Sequence, residues 1–112
     1  MKRGDIFYAN LSPTVGLEMA KRRPVLIVSN NINNRVSSTI TVLSLTSNVS
    51  RVYPFEVLLE SSVSGLPKDS KVQAQQFRTI SKQRLEGDVV GCLDDDLMKL
   101  VDLALKLHLG LD

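Results

Sequence analysis

A mainly β domain that ends in one α-helix is the fold class the sequence predicts, and three observations predict it. Five or six short stretches between Asp5 and Cys92 are rich in Val, Ile, Leu and Thr and are separated by turn residues. Apolar residues at helical spacing gather only in the last segment, from Asp94 onward. The chain has 112 residues with no visible repeat, which suits one domain spanning 1–112. Strands first and a helix last imply a small, strongly curved sheet or barrel packed on that helix.

The elements follow in order. Asp5 to Leu11 places Ile6, Phe7, Tyr8 and Leu11 before the turn signal Ser12-Pro13. Pro24 to Ser29 is a continuous run of β-branched residues and leucine. It reads as a central strand buried on both faces, with Pro24 admissible as its first residue. Asn30 to Asn34 is turn-rich or a short irregular helix. Thr39 to Thr46 is the third strand, Phe55 to Glu60 the fourth and Lys71 to Gln76 the fifth, with a turn at Gly65–Asp69. Ser81 to Leu85 suits a single helical turn, and Val89, Val90 and Cys92 add a short sixth strand. The final helix begins at Asp94, an N-cap, and carries Asp95 and Asp96 at the positive end of its dipole. Its apolar face has Leu97, Leu100, Val101, Ala104, Leu105 and Leu107, and Gly110 can end it.

Composition narrows the chemistry. Cys92 is the one cysteine and His108 the one histidine, so a disulfide, a cysteine-paired zinc site and a two-histidine ribonuclease mechanism within one subunit are all excluded. No cofactor or metal is expected, and the Asp94–Asp96 run reads as helix capping rather than a ligand cluster. The start lacks the apolar segment of a secretory signal, and no apolar run approaches the ~18 residues that span a bilayer. A reducing cytoplasm is the expected home. The net charge is +2, unevenly placed. Residues 1–56 hold seven cations and three anions, and residues 57–112 seven cations and nine anions, so the first half is the side that attracts a polyanion.

The stretch G-L-E-M-A-K-R-R from Gly16 to Arg23 puts Glu18, Lys21, Arg22 and Arg23 at the mouth of the buried strand. Thr46 and Ser47 stand at the end of the next. If those two strands pair antiparallel, Arg23 and Thr46 become neighbours. A guanidinium offers a planar fork of donors that matches phosphate oxygens, and a threonine hydroxyl can donate to the same phosphate. Together they can stabilise a five-coordinate phosphorus transition state without a metal. RNA supplies its own nucleophile, the 2′-hydroxyl. Glu18 is available for proton transfer. The residues alone leave a second reading open, in which Arg23 is a strand-end arginine paired with Glu18. Lys21, Arg22 and Arg78 can attract or position the strand, and Ser47, Gln75 and Gln76 can contact it. Tyr53 and Phe77 could stack bases, although core positions suit them better.

At these residues the sequence resembles the MazF/PemK family of toxin endoribonucleases. The matching blocks are K-R-G-D-I-F-Y-A-N-L-S-P at Lys2–Pro13, G-L-E-M-A-K-R-R-P-V-L-I-V-S-N at Gly16–Asn30, T-V-L-S-L-T-S-N at Thr41–Asn48, Y-P-F-E-V at Tyr53–Val57 and F-R-T-I-S-K-Q-R-L at Phe77–Leu85. The C-terminal run L-M-K-L-V-D-L-A-L-K-L-H-L-G-L is also similar. The resemblance implies a small SH3-like β-barrel of the MazF/CcdB toxin kind, forming a two-fold homodimer. It implies metal-independent cleavage of single-stranded RNA at short sequences, leaving a 2′,3′-cyclic phosphate and a 5′-hydroxyl. It also implies inhibition by a cognate, MazE-like antitoxin whose extended tail covers the RNA groove. The family's catalytic arginine and threonine match Arg23 and Thr46, and its loop glutamate matches Glu18. Members often show G-S-E-Q-x-G before the R-P, where this chain has Leu17, Met19, Ala20 and Lys21.

Two rivals follow from the same fold. One is a gyrase-poisoning toxin, whose relatives use a tryptophan at an exposed C-terminal tip; this chain has no Trp. The other is a non-catalytic nucleic-acid-binding barrel, against which the retained Arg23 and Thr46 argue.

Overall fold

A computed structural model of the chain describes residues 1–12 and 21–112. Strands β1 (Asp5–Asn10), β2 (Arg22–Ile27), β3 (Thr39–Thr46), β4 (Glu56–Leu59), β5 (Ser70–Ser81) and β6 (Leu85–Cys92) make one antiparallel sheet in the order β4-β5-β3-β2-β1-β6. Three helices accompany them: α1 (Asn31–Val36), α2 (Ser61–Ser64) and α3 (Asp95–Leu109), with a 3₁₀ turn at Lys82–Arg84. The fold is therefore mainly β with a C-terminal helix. The strands form an open, curved sheet and not a closed ring, since β4 and β6 are its edges.

The apolar run predicted as a doubly buried strand is one. Along β2, Val25 and Ile27 point to one face and Leu26 to the other, as strand alternation requires. Leu26 joins Leu43, Leu45, Val72 and Leu59 in the larger core, which α3 covers with Met98, Val101 and Ala104. Val25 and Ile27 join Val42, Ile40, Ile80 and Leu11 in a smaller core on the opposite face.

Curvature comes from register shifts. On β5, Gln73 faces Ser44 while Phe77 faces Leu43, so residues 74–76 bulge out of the ladder. Bulges bend a strand and increase its twist. This break hid the second half of β5 from the sequence, which predicts a strand only to Gln76. Between β1 and β6 a second shift lies between Ile6 and Tyr8.

The terminal helix is capped as predicted. The Asp94 carboxylate accepts the Leu97 N–H at 2.9 Å, and Gly110 takes φ 70°. The Gly110 and Leu111 N–H groups then bond the Leu107 and Lys106 carbonyls. The buried stripe is narrower than predicted. Leu100 and Leu107 stay exposed together with Leu103 and the β4 residue Leu58. Arg3 ties the N-terminus to this helix, pairing with Asp102 and donating from Nε to the Val28 carbonyl at 2.9 Å. Among the described residues, no helix is long and apolar enough to cross a membrane.

Candidate active site

The antiparallel pairing of β2 and β3 runs in the register Val25↔Ser44, Leu26↔Leu43 and Ile27↔Val42. Extended by two residues, that register sets Arg23 opposite Thr46. On the far side of β3, Thr46 lies directly opposite Lys71 of β5. Residues facing each other across a ladder share a face, so Arg23, Thr46 and Lys71 form a row at the rim of the sheet.

Each member of the row is held differently. Arg23 is exposed at the first turns of β2, next to Pro24, which needs no ladder donor there. Thr46 is half-buried, and its Oγ1 accepts the Asn48 N–H at 3.2 Å. That bond leaves the hydroxyl proton available to a ligand. Lys71 is buried. Its ammonium donates to the Arg51 carbonyl at 2.6 Å and to the Glu56 carboxylate at 2.9 Å, with the Glu56 side chain 1% exposed. Burial pushes the Glu56 carboxyl up, but the Tyr53 N–H, the Gln75 amide and Lys71 outweigh it and hold the group below its ordinary value. The Glu56–Lys71 pair thus pins the Ser47–Phe55 connection, which leaves the site at Thr46, onto β5.

At the rim, Arg22, Arg23, Thr46 and Ser47 line one open cleft of about 260 Å³, together with Tyr8 and Lys68. Arg22 is restrained: its Nε donates to Glu86 at 2.9 Å and its guanidinium lies 4.0 Å over the Tyr8 ring. Tyr8 and Lys68 are additions to the sequence-derived set. Tyr8 enters because β1 pairs with β2 at Tyr8↔Pro24. Lys68 enters from the turn after α2, a proximity with no local sequence signal.

The other site candidates fall around this cleft. Lys21 is exposed with φ 65°, a left-handed conformation costly for a non-glycine residue. Its N–H donates to Ser12 Oγ at 2.7 Å and its carbonyl accepts the Leu11 N–H at 2.8 Å, closing the base of the connection between β1 and β2. Glu18, with Leu17 and Met19, lies outside the described residues. Arg78 donates to the Leu11 carbonyl at 2.8 Å, and Arg84 does the same to Asn10 and Ser12. Both arginines therefore grip the feet of that connection. Gln75 sits in the β5 bulge and donates to Glu56 at 2.7 Å, with Gln73 reaching the same oxygen at 3.4 Å. Their carbonyl oxygens are buried with no partner among the described residues. Gln76, also in the bulge, is half-buried. Tyr53 and Phe77, expected in the core, both lie at the surface. Tyr53 stacks on Phe55 with ring centroids 5.4 Å apart, and the Arg51 guanidinium lies over its ring at 5.6 Å.

A curved, open antiparallel sheet backed by a C-terminal helix, with arginines and a threonine lining a cleft at its rim, is the fold of a class of small toxins, and sequence comparison places the chain within that class. Residues 2–109 match the family described as PemK-like, MazF-like toxin of type II toxin–antitoxin system, and the chain belongs to that family. It is 42% identical over 112 residues to endoribonuclease EndoA of Bacillus subtilis, covering 99% of this chain and 96% of that relative. It is 41% identical over 116 residues to endoribonuclease MazF9 of Mycobacterium tuberculosis, covering 99% and 98%. Among solved structures, an endoribonuclease in complex with its cognate antitoxin from a mycobacterial species superposes with a TM-score of 0.82 at 29% identity, covering 100% of this chain and 97% of the other.

Proposed function

We propose that the chain is a sequence-specific, metal-independent endoribonuclease toxin that cuts single-stranded mRNA in the cytoplasm. The observation that carries the reading is the placement of Arg23 opposite Thr46 at a rim that also bears Arg22 and Lys68. The 2′-oxygen of one nucleotide attacks the adjoining phosphorus in line, and the bond from phosphorus to the 5′-oxygen breaks. The products are a 2′,3′-cyclic phosphate and a 5′-hydroxyl. Arg23 stabilises the charge that accumulates on the phosphate oxygens and supplies the proton taken by the leaving 5′-oxygen. Thr46 donates its hydroxyl proton, already oriented by Asn48, to a non-bridging oxygen. Glu18, assigned from the sequence, accepts the 2′-hydroxyl proton or orients it. Lys21, Arg22, Ser47, Gln75, Gln76 and Arg78 make up the surrounding RNA surface, with Arg78 acting through the loop feet it holds.

The same reading includes a cognate antitoxin, supported by the antitoxin complex among the structural neighbours. It also includes a homodimer. Leu58, Leu100, Leu103 and Leu107 expose an apolar groove of about 430 Å³ between β4 and α3, and a second copy of the chain is the partner that would bury it.

Purified protein incubated with a long single-stranded RNA in EDTA tests the function. Cutting at a small set of sequence-related positions is the expected result. Cutting only after a divalent metal is added, or none at all, refutes the mechanism.

A further inference from the structure

We propose that Lys68 is a phosphate-binding residue of this site, holding the phosphate next to the scissile one in the cleft that Arg22, Arg23 and Thr46 also line. The proposal rests on the RNA-cleaving reading and deepens it. Lys68 lines the same cleft as Arg23 and Thr46, is exposed, and forms no ion pair among the described residues. Arg22, by contrast, is already engaged by Glu86 and Tyr8.

The wall carrying Lys68 is fixed by unusually close backbone packing. Gly65, at φ 80°, ends α2, and a Cβ built there would lie 2.3 Å from the Val90 carbonyl oxygen. A Cβ on Gly91 would lie 2.1 Å from the Ser64 carbonyl oxygen. Only paired glycines let the end of α2 rest on β6 this closely. Beyond Gly65, Ser64 Oγ accepts the Leu66 N–H at 3.1 Å, and Ser70 Oγ donates to the Lys68 carbonyl at 3.1 Å. Leu66 anchors the turn in the main core. The Lys68 backbone is thus held in place while its ammonium has no ion-pair partner among the described residues, so binding has to order the side chain but not the turn that carries it. Several cations lining one open cleft suit a polyanion that runs along it. A single RNA strand with one phosphate at Arg23 and Thr46 would present its neighbouring phosphate to Lys68 in the same cleft.

Salt dependence is the readout. A site mapped with wild-type protein is placed in a short fluorescent RNA whose attacking nucleotide is 2′-deoxy, so that it binds uncut. Affinity is measured by anisotropy over a KCl series for the full-length wild type, Lys68→Ala, Lys68→Arg and Lys99→Ala. Loss of one phosphate contact to a single strand reduces the slope of log K against log salt by about 0.7. Lys68→Ala should show that reduction and a higher KM on cleavable RNA with kcat near wild type. Lys68→Arg should retain the wild-type slope. Lys99→Ala removes the same charge from exposed α3 and should leave the slope unchanged. A wild-type slope in Lys68→Ala, or an equal loss in Lys99→Ala, overturns the assignment alone. Wild-type protein that cuts no RNA overturns the parent reading and this one with it.

Discussion

Arg23→Ala should lower RNA cleavage by about 10²–10³-fold while leaving the unfolding midpoint nearly unchanged. The two halves of that expectation have separate causes. The guanidinium is exposed at the start of β2 and contributes nothing to either core, so its loss should not unfold the sheet. Its proposed work is done on the phosphate, where charge develops only in the transition state, so kcat should fall more than KM rises. Arg23→Lys keeps the charge but loses the planar fork and should recover activity in part. Initial rates on a labelled RNA, with a parallel denaturant melt, check both. A variant that cuts at the wild-type rate would remove Arg23 from the mechanism.

Lys71→Ala should destabilise the fold by about 3–5 kcal/mol, because it leaves the Glu56 carboxylate buried without its cation. Replacing Glu56 and Lys71 together with apolar residues of similar size should cost far less, since no uncompensated charge remains. Urea melts of the single and double variants measure the difference. The pair also predicts a pH dependence. Glu56 has a carboxyl held below its ordinary value in the folded chain. Its contribution is therefore complete above the ordinary glutamate range and is lost as pH falls through the lower, folded value. Glu56→Gln should flatten that part of the stability–pH curve. Because the pair anchors the connection leaving Thr46, Lys71→Ala should also reduce cleavage under conditions where it remains folded.

The parts of this fold that announce themselves in the sequence are those with a strong local signal. Thr39–Thr46 is delimited by its β-branched pattern, and α3 by Asp94 and Gly110. The doubly buried run after Arg23-Pro24 indicated a central strand, and antiparallel pairing then placed Thr46 beside Arg23. Other parts carry no such signal. Ser61–Ser64 is a turn of helix built from three serines and a valine, with no cap bond from the Glu60 side chain; the distant Asp69 carboxylate accepts the Ser61 N–H instead, and the turn packs against β6. The first half of β6 carries Glu86, Gly87 and Asp88, exposed on a sheet edge, so no alternation marks it. Nothing in the local sequence marks Lys71 and Glu56 as a pair; β4 and β5 bring them together. Lys68 and Tyr8 are 60 positions apart, and the β1–β2 pairing together with the packing of α2 on β6 sets them on one cleft. Long-range packing, not local pattern, decides each of these.

In the proposed mechanism, the rim holding Arg23 and Thr46 makes the RNA's own 2′-hydroxyl the nucleophile. A mapped cleavage site synthesised twice, once as ribonucleotide and once with a single 2′-deoxy substitution at the attacking nucleotide, tests it most directly. The all-ribonucleotide strand should be cut in EDTA to a 2′,3′-cyclic phosphate and a 5′-hydroxyl, and the substituted strand should stay intact at that bond. Cutting of the substituted strand there, or a 5′-phosphate on the product, would contradict the mechanism.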